Sequence, residues 1–257
     1  AVYIATPTGL HAAHAGRVLE ASRHAWVEKP AAMTVKDAVR LTGRSREVGR
    51  LCCEGFMYLF HPQFLDLSTA LRAGRIGRPL SVTCRFGIPA LAVPGFRNNP
   101  DLGGSALFDV GSYAVSAMLA LFPDATASVV SSAVQRRAGS AVDTSGHAIM
   151  RMDEVEAHLE WRTESAYRNE IFVWGEQGSV STELIFSKPA DHVPVLQWRD
   201  AQGAVTDTRS AAANHFVEML RMFGRWATDP VAAQAERERI VRRAEVMELI
   251  AARSNER

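Results

Sequence analysis

The chain has 257 residues, of which 47% are hydrophobic and 22% are charged, and its 29 Lys and Arg residues nearly balance its 28 Asp and Glu residues. This composition excludes collagen-like, low-complexity and disordered chains, and the near-zero net charge argues against a strongly electrostatic nucleic-acid binder. No apolar run approaches the roughly 18 residues of a membrane-spanning helix, so we expect a soluble globular protein with one large or two modest domains.

The cysteines and the basic residues indicate no special chemistry. Three cysteines, two of them adjacent at Cys52 and Cys53, form no Cys-x-x-Cys pair and no zinc-type spacing with histidine. We interpret Cys52 and Cys53 as small buried residues of a core strand, and we expect a reducing, cytoplasmic location. The run AERERIVRRAE over residues 235–245 mixes both charge signs, which predicts a solvated helix face.

The first 58 residues alternate between predicted strands and helices. The chain opens on AVYIATPTGLH, without Met, a charged leader or a cleavage site, and we expect it to begin inside a core strand, AVYIA. A helix over residues 10–21, a strand in HAWVEKP, a helix from the cap Thr34 to about Val48 and a strand in LCCEGFMY follow. This alternation is typical of βαβ units in a doubly wound sheet.

From residue 59 onward the pattern is that of an α+β fold. HPQFLDLSTALRAGRIG predicts a helix closed by Gly74, PLSVTCRFGI a strand, and residues 105–121 a helix after a loop rich in Pro, Gly and Asn. The hydrophobic period is then mostly two, and VEAHLEW predicts an antiparallel strand with one wet side. NEIFVWGEQGSVSTEL predicts two more strands, VPVLQWRD another, and residues 214–226 and 233–253 two helices.

Fold class and domain organisation follow from these elements. We expect an α/β plus α+β protein: a truncated parallel sheet in residues 1–58, then a domain of residues 59–257 with an open, mostly antiparallel sheet flanked by helices. The C-terminal helix is expected to pack back on the first domain. Association of two open sheets is the simplest way to cover them, so we predict a homodimer or homotetramer.

Two polar clusters are candidates for chemistry. Glu28 and Lys29 follow the second predicted strand, at the edge where open α/β sheets bind ligands, although a solvated strand-end lysine is the alternative. Asp109 and Tyr113 are four residues apart on one face of an apolar helix, where they form either a structural pair or part of a site. Together the clusters offer two proton donors and an orienting carboxylate, as carbonyl reduction by hydride requires.

The remaining polar candidates have weaker patterns. His11 and His14 share a helix face but lack a neighbouring carboxylate or cysteine, so we predict no metal site. His61 precedes a proline at a helix start, where a packed cap and a substrate-facing role are both open. Arg97 lies in a loop and could meet a sugar or phosphate, and loop polarity explains it equally well.

Four ordered segments resemble the Gfo/Idh/MocA oxidoreductases, which use a nicotinamide dinucleotide. These segments are TPTGLHAAHA, VEKP, MYLFHPQF and LGGSALFDVGSYAVSAMLALF, and their order and spacing are similar to those of the family. YRNEIFVWGEQGSVS and PADHVPVLQW resemble the NDP-hexose 3-ketoreductase branch, which reduces keto-sugar nucleotides in deoxysugar biosynthesis. The resemblance spans nearly the whole chain and implies a Rossmann-like first domain.

The resemblance implies roles for individual residues. Lys29 matches a lysine that contacts nicotinamide and substrate, Tyr113 matches the proton donor, and Asp109 matches an acidic residue near the sugar. Many relatives have His in place of Tyr113, so the tyrosine favours the sugar 3-ketoreductases, xylose dehydrogenases and dihydrodiol dehydrogenases. The residues matched to cofactor contacts, besides Lys29, are Thr6, Pro7, His11 and Glu28, and those matched or assigned to the substrate pocket, besides the catalytic three, are Arg97 and Tyr167.

One family feature does not occur in this sequence. The family begins with a strand, a G-x-G-x-x-G turn and a helix that hold the pyrophosphate, and the 257 residues contain no G-x-G-x-x-G. A fragment, a partner that supplies the rest and a member that has lost cofactor binding are three open explanations. We expect an NADP- or NAD-dependent reductase of a C3 keto group on a nucleotide-linked deoxysugar. The alternatives are a non-redox cyclase, isomerase or scaffold subunit, and a sugar or dihydrodiol dehydrogenase.

Overall fold

Two β-sheets organise the protein, which a computed structural model describes over residues 1–93 and 95–254. The smaller sheet is parallel, with strand order β1-β2-β3. Its strands are β1 (Val2–Ile4), β2 (Ala25–Val27) and β3 (Cys52–Glu54), connected by the helices α1 (His11–Glu20) and α2 (Val35–Glu47). The predicted alternation of parallel strands and helices is confirmed, and the hydroxyl of Thr34 caps α2 as predicted by accepting from Asp37 N. The expectation that AVYIA is a core strand is wrong, because β1 is the outer strand of this sheet and only Ile4 of its three residues is buried.

The larger sheet has eight strands in the order β11-β10-β9-β8-β4-β7-β6-β5. Its strands are β4 (Pro79–Gly87), β5 (Ala127–Gln135), β6 (Ser145–Met152), β7 (Val155–Arg162), β8 (Arg168–Gly175), β9 (Gly178–Glu183), β10 (Val195–Asp200) and β11 (Val205–Arg209). β4 runs parallel to β7, and the other neighbouring strands are antiparallel. The predicted open, mostly antiparallel sheet is therefore confirmed.

One face of this sheet is buried and the other faces outward. In β7 the side chains of Val155, Ala157, Leu159 and Trp161 are buried, whereas those between them are exposed or half-buried. The helices that accompany the sheet are α3 (Pro62–Arg72), α4 (Ser112–Leu121), α5 (His215–Trp226) and α6 (Pro230–Ser254). The two-residue alternation predicted for VEAHLEW thus separates core from surface.

The C-terminal helix α6 packs against both sheets. Ile240 and Ala244 join the apolar cluster around β1 and β2, whereas Met247 and Ile250 belong to the cluster under the large sheet. The prediction of a solvated face for residues 235–245 is correct for Glu238, Arg239 and Glu245, which are exposed, and wrong for the charged residues Glu236, Arg237 and Arg243, which are buried. Arg243 pairs with Glu54 and Glu236 inside the protein, and Arg237 donates to Gln234 and Ser45, which a mixed-charge run does not reveal.

Two predictions about residues 100–121 differ from the structure. Pro100–Leu121 is long and apolar enough to match a membrane-spanning helix by length and composition, which the search for apolar runs missed. However, 83% of its apolar window is buried inside the protein, as in a core helix. The predicted single helix over residues 105–121 is divided into a π-helix, Leu107–Gly111, and α4.

The free energy of unfolding is expected to depend on pH because of two buried histidines, His61 and His215. Burial and the charge of Lys188 lower the pKa of His61 and of His215 to about 4. The unfolded chain takes up these protons near its ordinary pKa of about 6.5, so the free energy of unfolding falls as the pH decreases from about 6.5 to 4. We expect a loss on the order of 3 kcal/mol for each histidine, measured by urea unfolding. His215→Gln should halve the slope, and equal stability at pH 7 and pH 4 would contradict the assignment.

Candidate functional site

The candidate site lies where the carboxyl ends of the three parallel strands meet the start of α4. Because the strands are parallel, the segments that follow β1, β2 and β3 leave the sheet at the same edge. Lys29 follows β2, and its peptide bond to Pro30 is cis. Asp109 lies in the π-helix before α4, and Tyr113 lies in the first turn of α4. Short π-helical segments are frequent at functional sites, and this one inserts Asp109 between the two domains.

Lys29, Asp109 and Arg97 form an ion triad in which Asp109 is shared. Lys29 Nζ donates to Asp109 Oδ1 at 2.9 Å and to the Asp109 backbone carbonyl at 2.5 Å. Arg97 Nε donates to Asp109 Oδ2 at 2.6 Å. The side chains of Lys29 and Asp109 are 11% and 9% exposed, respectively, so this pair lies largely out of solvent.

The triad fixes the charge of Asp109. Burial by itself raises the pKa of the Asp109 carboxyl, but the charges and hydrogen bonds of Lys29 and Arg97 outweigh it, and the net shift is downward. Asp109 therefore stays ionised and accepts hydrogen bonds at neutral pH. It holds the Lys29 ammonium at the rim of the crevice, and the carboxylate orients its neighbours without acting as an acid.

Tyr113 lies beside Lys29 with its phenol unpaired by any oxygen of the described residues. Lys29 Nζ is 4.9 Å from the Tyr113 ring centroid, and the Tyr113 hydroxyl meets only the sulfur of Met57, at 3.9 Å. Edge contacts with Phe56 and Phe86 fix the plane of the ring. Burial, followed by the charges of Glu28 and Asp109, raises the pKa of Tyr113 well above its ordinary value. The phenol is therefore protonated and available as a donor.

Two adjacent glycines bring the loop that carries Arg97 into the site. Gly103 has φ +81°, and a Cβ there would lie 2.4 Å from the backbone nitrogen of Gly9, in the turn after β1. A Cβ on Gly104 would lie 2.4 Å from the Arg97 carbonyl oxygen. Only glycine permits both approaches, so this pair docks the loop against the first domain and places Arg97 on Asp109.

Glu28 is held by a tyrosine that the sequence analysis missed. Tyr3 Oη donates to Glu28 Oε1 at 2.5 Å, and the Lys29 backbone N–H lies 3.4 Å from Glu28 Oε2. The two residues are 25 positions apart, but β1 and β2 are neighbours in the sheet. This contact could have been predicted from the sequence, because Tyr3 lies in the first strand and Glu28 follows the second.

The other predicted cofactor residues lie in the turn after β1 and at the start of α1. Thr6 and Pro7 are half-buried at the sheet edge. His11 is 2% exposed, and both of its ring nitrogens contact backbone carbonyls of neighbouring loops. His14 contacts the Thr6 hydroxyl at 3.2 Å. A direct contact between His11 and a cofactor stays a prediction, since both ring nitrogens contact carbonyl oxygens of the protein in this structure.

Tyr167 is not joined to the triad by any contact among the described residues. It is 43% exposed just before β8, its hydroxyl lies 3.1 Å from Ser187 Oγ, and it accepts a hydrogen bond from Asn169 Nδ2 at 2.9 Å. Asn169 also accepts from Phe186 N, and the Phe186 ring packs 5.4 Å from that of Tyr113. Tyr167 is thus linked to the site only through intermediate residues, and its role in substrate binding stays a prediction.

Sequence reasoning also missed a buried ion network behind the Lys29 turn. Glu54, at the end of β3, accepts from Ala31 N at 2.7 Å and from Arg243 of α6. Arg243 also pairs with Glu236 at 3.0 Å. Glu54 lies at the end of a parallel strand, close to the edge where Glu28 lies, and this position could have marked Glu54 as a candidate for the site. The network connects α6 to the turn that presents Lys29.

Two family descriptions match the chain. The family "Oxidoreductase family, NAD-binding Rossmann fold" matches residues 1–56, and the "GFO/IDH/MocA C-terminal domain" matches residues 64–181. The first match ends at residue 56 and the second begins at residue 64, and the domain boundary at residue 58 stays a prediction. Lys29 falls in the first match, and Arg97, Asp109 and Tyr113 fall in the second, so the site joins the two domains.

Individual proteins are similar to this chain over nearly its whole length. A dTDP-3,4-didehydro-2,6-dideoxy-alpha-D-glucose 3-reductase from Saccharopolyspora spinosa is 30% identical over 257 residues, covering 97% of this chain and 77% of the relative. The counterpart from Streptomyces violaceoruber is 29% identical, covering 97% of this chain and 75% of the relative. The crystal structure of a 3-ketoreductase from Actinomadura kijaniata in complex with NADP and TDP-benzene superposes with a TM-score of 0.92 at 29% identity, covering 98% of this chain and 78% of that chain.

Proposed function

Because the chain belongs to the Gfo/Idh/MocA family of NAD(P)-dependent oxidoreductases, we propose that it reduces the C3 keto group of a nucleotide-linked deoxysugar with NADPH. The observation that carries the proposal is the convergence of Lys29, Asp109 and Tyr113, with Lys29 Nζ 2.9 Å from Asp109 Oδ1 and 4.9 Å from the Tyr113 ring centroid. The names of the relatives supply the substrate class.

The donor set at the sheet edge fits the nicotinamide end of a dinucleotide. The Thr6 hydroxyl, the Glu28 carboxylate and the Lys29 ammonium follow neighbouring parallel strands and are all partly accessible. Glu28 can accept from ribose hydroxyls, and Thr6 and Lys29 can donate to the ribose or the carboxamide. When bound there, the nicotinamide supplies a hydride. The residues named here account for the nicotinamide end of the cofactor alone.

Each site residue would then have one task at the keto group. The Lys29 ammonium donates to the carbonyl oxygen and stabilises the negative charge that develops on it. Tyr113 gives its phenolic proton to the resulting alkoxide. Asp109 keeps Lys29 aimed by holding its ammonium from behind, while Arg97 shares this carboxylate.

Arg97 and Tyr167 are the candidates for substrate contacts away from the keto group. The Arg97 side chain is 36% exposed and uses only Nε on Asp109 among the described contacts, so its terminal nitrogens can meet a sugar hydroxyl or a diphosphate oxygen. Tyr167 is exposed just before the first residue of β8. A partly apolar ring with a polar hydroxyl suits a sugar or a base.

We also propose that two copies associate through the outer face of the large sheet. Phe172 and Trp174 on β8 are 40% and 57% exposed on this face, where Arg85 pairs with Glu160 and Glu170. An exposed face with large aromatic residues among balanced charges suits a self-complementary interface.

Trp174→Glu should therefore yield a monomer in analytical ultracentrifugation at micromolar concentration, because an unpaired charge would be buried at the interface. Val231→Glu is the matched control, since Val231 is 78% exposed on α6 and away from the sheet face. A wild-type chain that sediments as a monomer would contradict the proposal.

Cofactor titration is the first test of the proposed activity. Purified protein is titrated with NADPH and with NADH while the intrinsic fluorescence of its five tryptophans is followed. We expect saturable binding of NADPH, followed by its oxidation on addition of a dTDP-linked 3-keto-deoxysugar. Oxidation of free sugars or dihydrodiols with NADP in place of this activity would instead assign a dehydrogenase. A folded protein that binds neither cofactor would overturn the redox proposal.

A further inference from the structure

His11 is buried between two loops that both lead into the site. Its Nδ1 lies 2.8 Å from the carbonyl oxygen of Pro30, in the turn that carries Lys29. Its Nε2 lies 2.7 Å from the carbonyl oxygen of Thr6, in the loop after β1. The side chain is 2% exposed, so the ring is largely shielded from solvent.

The chemistry of these contacts constrains the form of the ring. A carbonyl oxygen only accepts hydrogen bonds, and a neutral imidazole has one N–H and one lone pair. In either neutral tautomer, one of the two short contacts would set a lone pair against a carbonyl oxygen. Both contacts are hydrogen bonds only when both nitrogens carry protons, that is, in the imidazolium.

Two effects disfavour a positive charge on His11, and its hydrogen bonds compensate for them. Burial disfavours a cation, and His11 begins α1, whose N-terminal dipole is positive. Against them stand two short charge-assisted hydrogen bonds, whereas a neutral ring would leave one buried carbonyl without a partner. The ionisable groups on the segments around His11 are His14, Arg17 and Glu20 on its own helix, Glu28 and Lys29 after β2, and Glu54 behind Ala31.

We propose that His11 is a positioning residue, an imidazolium that ties the loop after β1 to the turn that presents Lys29. On the other side of Pro30, Ala31 N donates to Glu54 Oε1 at 2.7 Å, so the turn is held at two consecutive residues from opposite directions. His11 touches neither Lys29 nor Tyr113 among the described contacts. Its effect on turnover rests on the proposed function, whereas its protonation and its contacts do not.

Nitrogen NMR of the histidine rings tests the protonation directly. The wild-type chain is labelled with ¹⁵N-histidine, and its long-range ¹H–¹⁵N spectrum is recorded at pH 7, with the His11 signals identified by their loss in His11→Gln. We expect both His11 nitrogens at imidazolium shifts. His24 is the internal reference, because its Nδ1 accepts from Leu51 N at 3.0 Å and must be unprotonated there. A His11 nitrogen at the shift of an unprotonated ring nitrogen would overturn the proposal.

A kinetic comparison tests positioning. In His11→Phe, which introduces a somewhat larger apolar ring and removes both donors, we expect kcat to fall about tenfold as Lys29 loses its alignment. His11→Gln, which retains one donor, should lie between this variant and wild type. His147→Phe is the control and should stay near wild type, because His147 is exposed on β6. If folded His11→Phe and His11→Gln both turn over at the wild-type rate, His11 does not position the site. Should the protein bind no nicotinamide at all, the proposed function fails, and the NMR result still decides the inference.

Discussion

Replacing Tyr113 by Phe lowers kcat by about 10²–10⁴-fold, the range expected when a general acid is removed. The variant loses one hydroxyl, which meets only Met57 Sδ at 3.9 Å among the described residues, so no other protein contact depends on it. The ring still packs against Phe56, Phe86 and Phe186. We therefore expect KM and the Kd for NADPH to change little, which separates a lost transition-state interaction from lost binding.

Tyr58→Phe is the matched control for this result. The Tyr58 ring lies 5.9 Å from that of Tyr113, and its hydroxyl donates to Ser116 Oγ at 3.1 Å inside the core. Removing it should cost some stability and leave kcat within a few fold of wild type. Equal activity of the Tyr113→Phe and wild-type proteins on a dTDP-linked keto-sugar would refute the donor assignment. Equal losses in both tyrosine variants would indicate a packing effect.

The fold was predictable where a local pattern carries the information. Period-two alternation in VEAHLEW and the cap at Thr34 depend on neighbours in the sequence, and the structure confirms both. The apolar run AVYIA predicted a strand correctly but not its burial, because Val2 and Tyr3 are 41% and 52% exposed on β1. The strand β11 was missed because VTDTR is short and mostly exposed, without an apolar face. The parallel pairing of β4 with β7 was not predictable, since the choice of partner depends on packing of the entire sheet.

The site was predictable through residues at strand ends and polar residues on an apolar helix. Lys29 and Asp109, which the sequence analysis combined in one candidate site, are in contact across 80 residues of sequence. The contact of Arg97 with Asp109 was not predicted, because Arg97 was assigned to the substrate, and the catalytic roles of these residues stay predictions. The roles of His11 and Glu54 were not predictable, because their partners are backbone groups whose position only the folded loops define. The burial of charged residues on α6 was not predicted for a related reason. A mixed-charge run has the same pattern whether its partners are water or, as for Arg243, a buried carboxylate on β3.

Replacing Lys29 by Met is expected to lower kcat by about 10²–10³-fold, since it removes a donor aimed at the developing oxyanion. It should also raise the Kd for NADPH, because Lys29 stands where the nicotinamide end would bind. Lys36→Met is the matched control, as Lys36 is exposed on α2 and is one of the other two lysines in the chain. Wild-type kinetics in Lys29→Met would contradict its role.

The loss in Lys29→Met has two sources that a second substitution separates. Asp109 is buried and keeps only Arg97 as a cationic partner in that variant, so part of the damage is an undercompensated carboxylate. In Lys29→Met combined with Asp109→Asn the charge is removed, and we expect the free energy of unfolding to recover toward wild type. Turnover should stay low, because neither the ammonium nor its anchor is restored. Recovery of stability without activity would assign Lys29 to the chemistry, whereas recovery of both would mean that Lys29 serves only to neutralise Asp109.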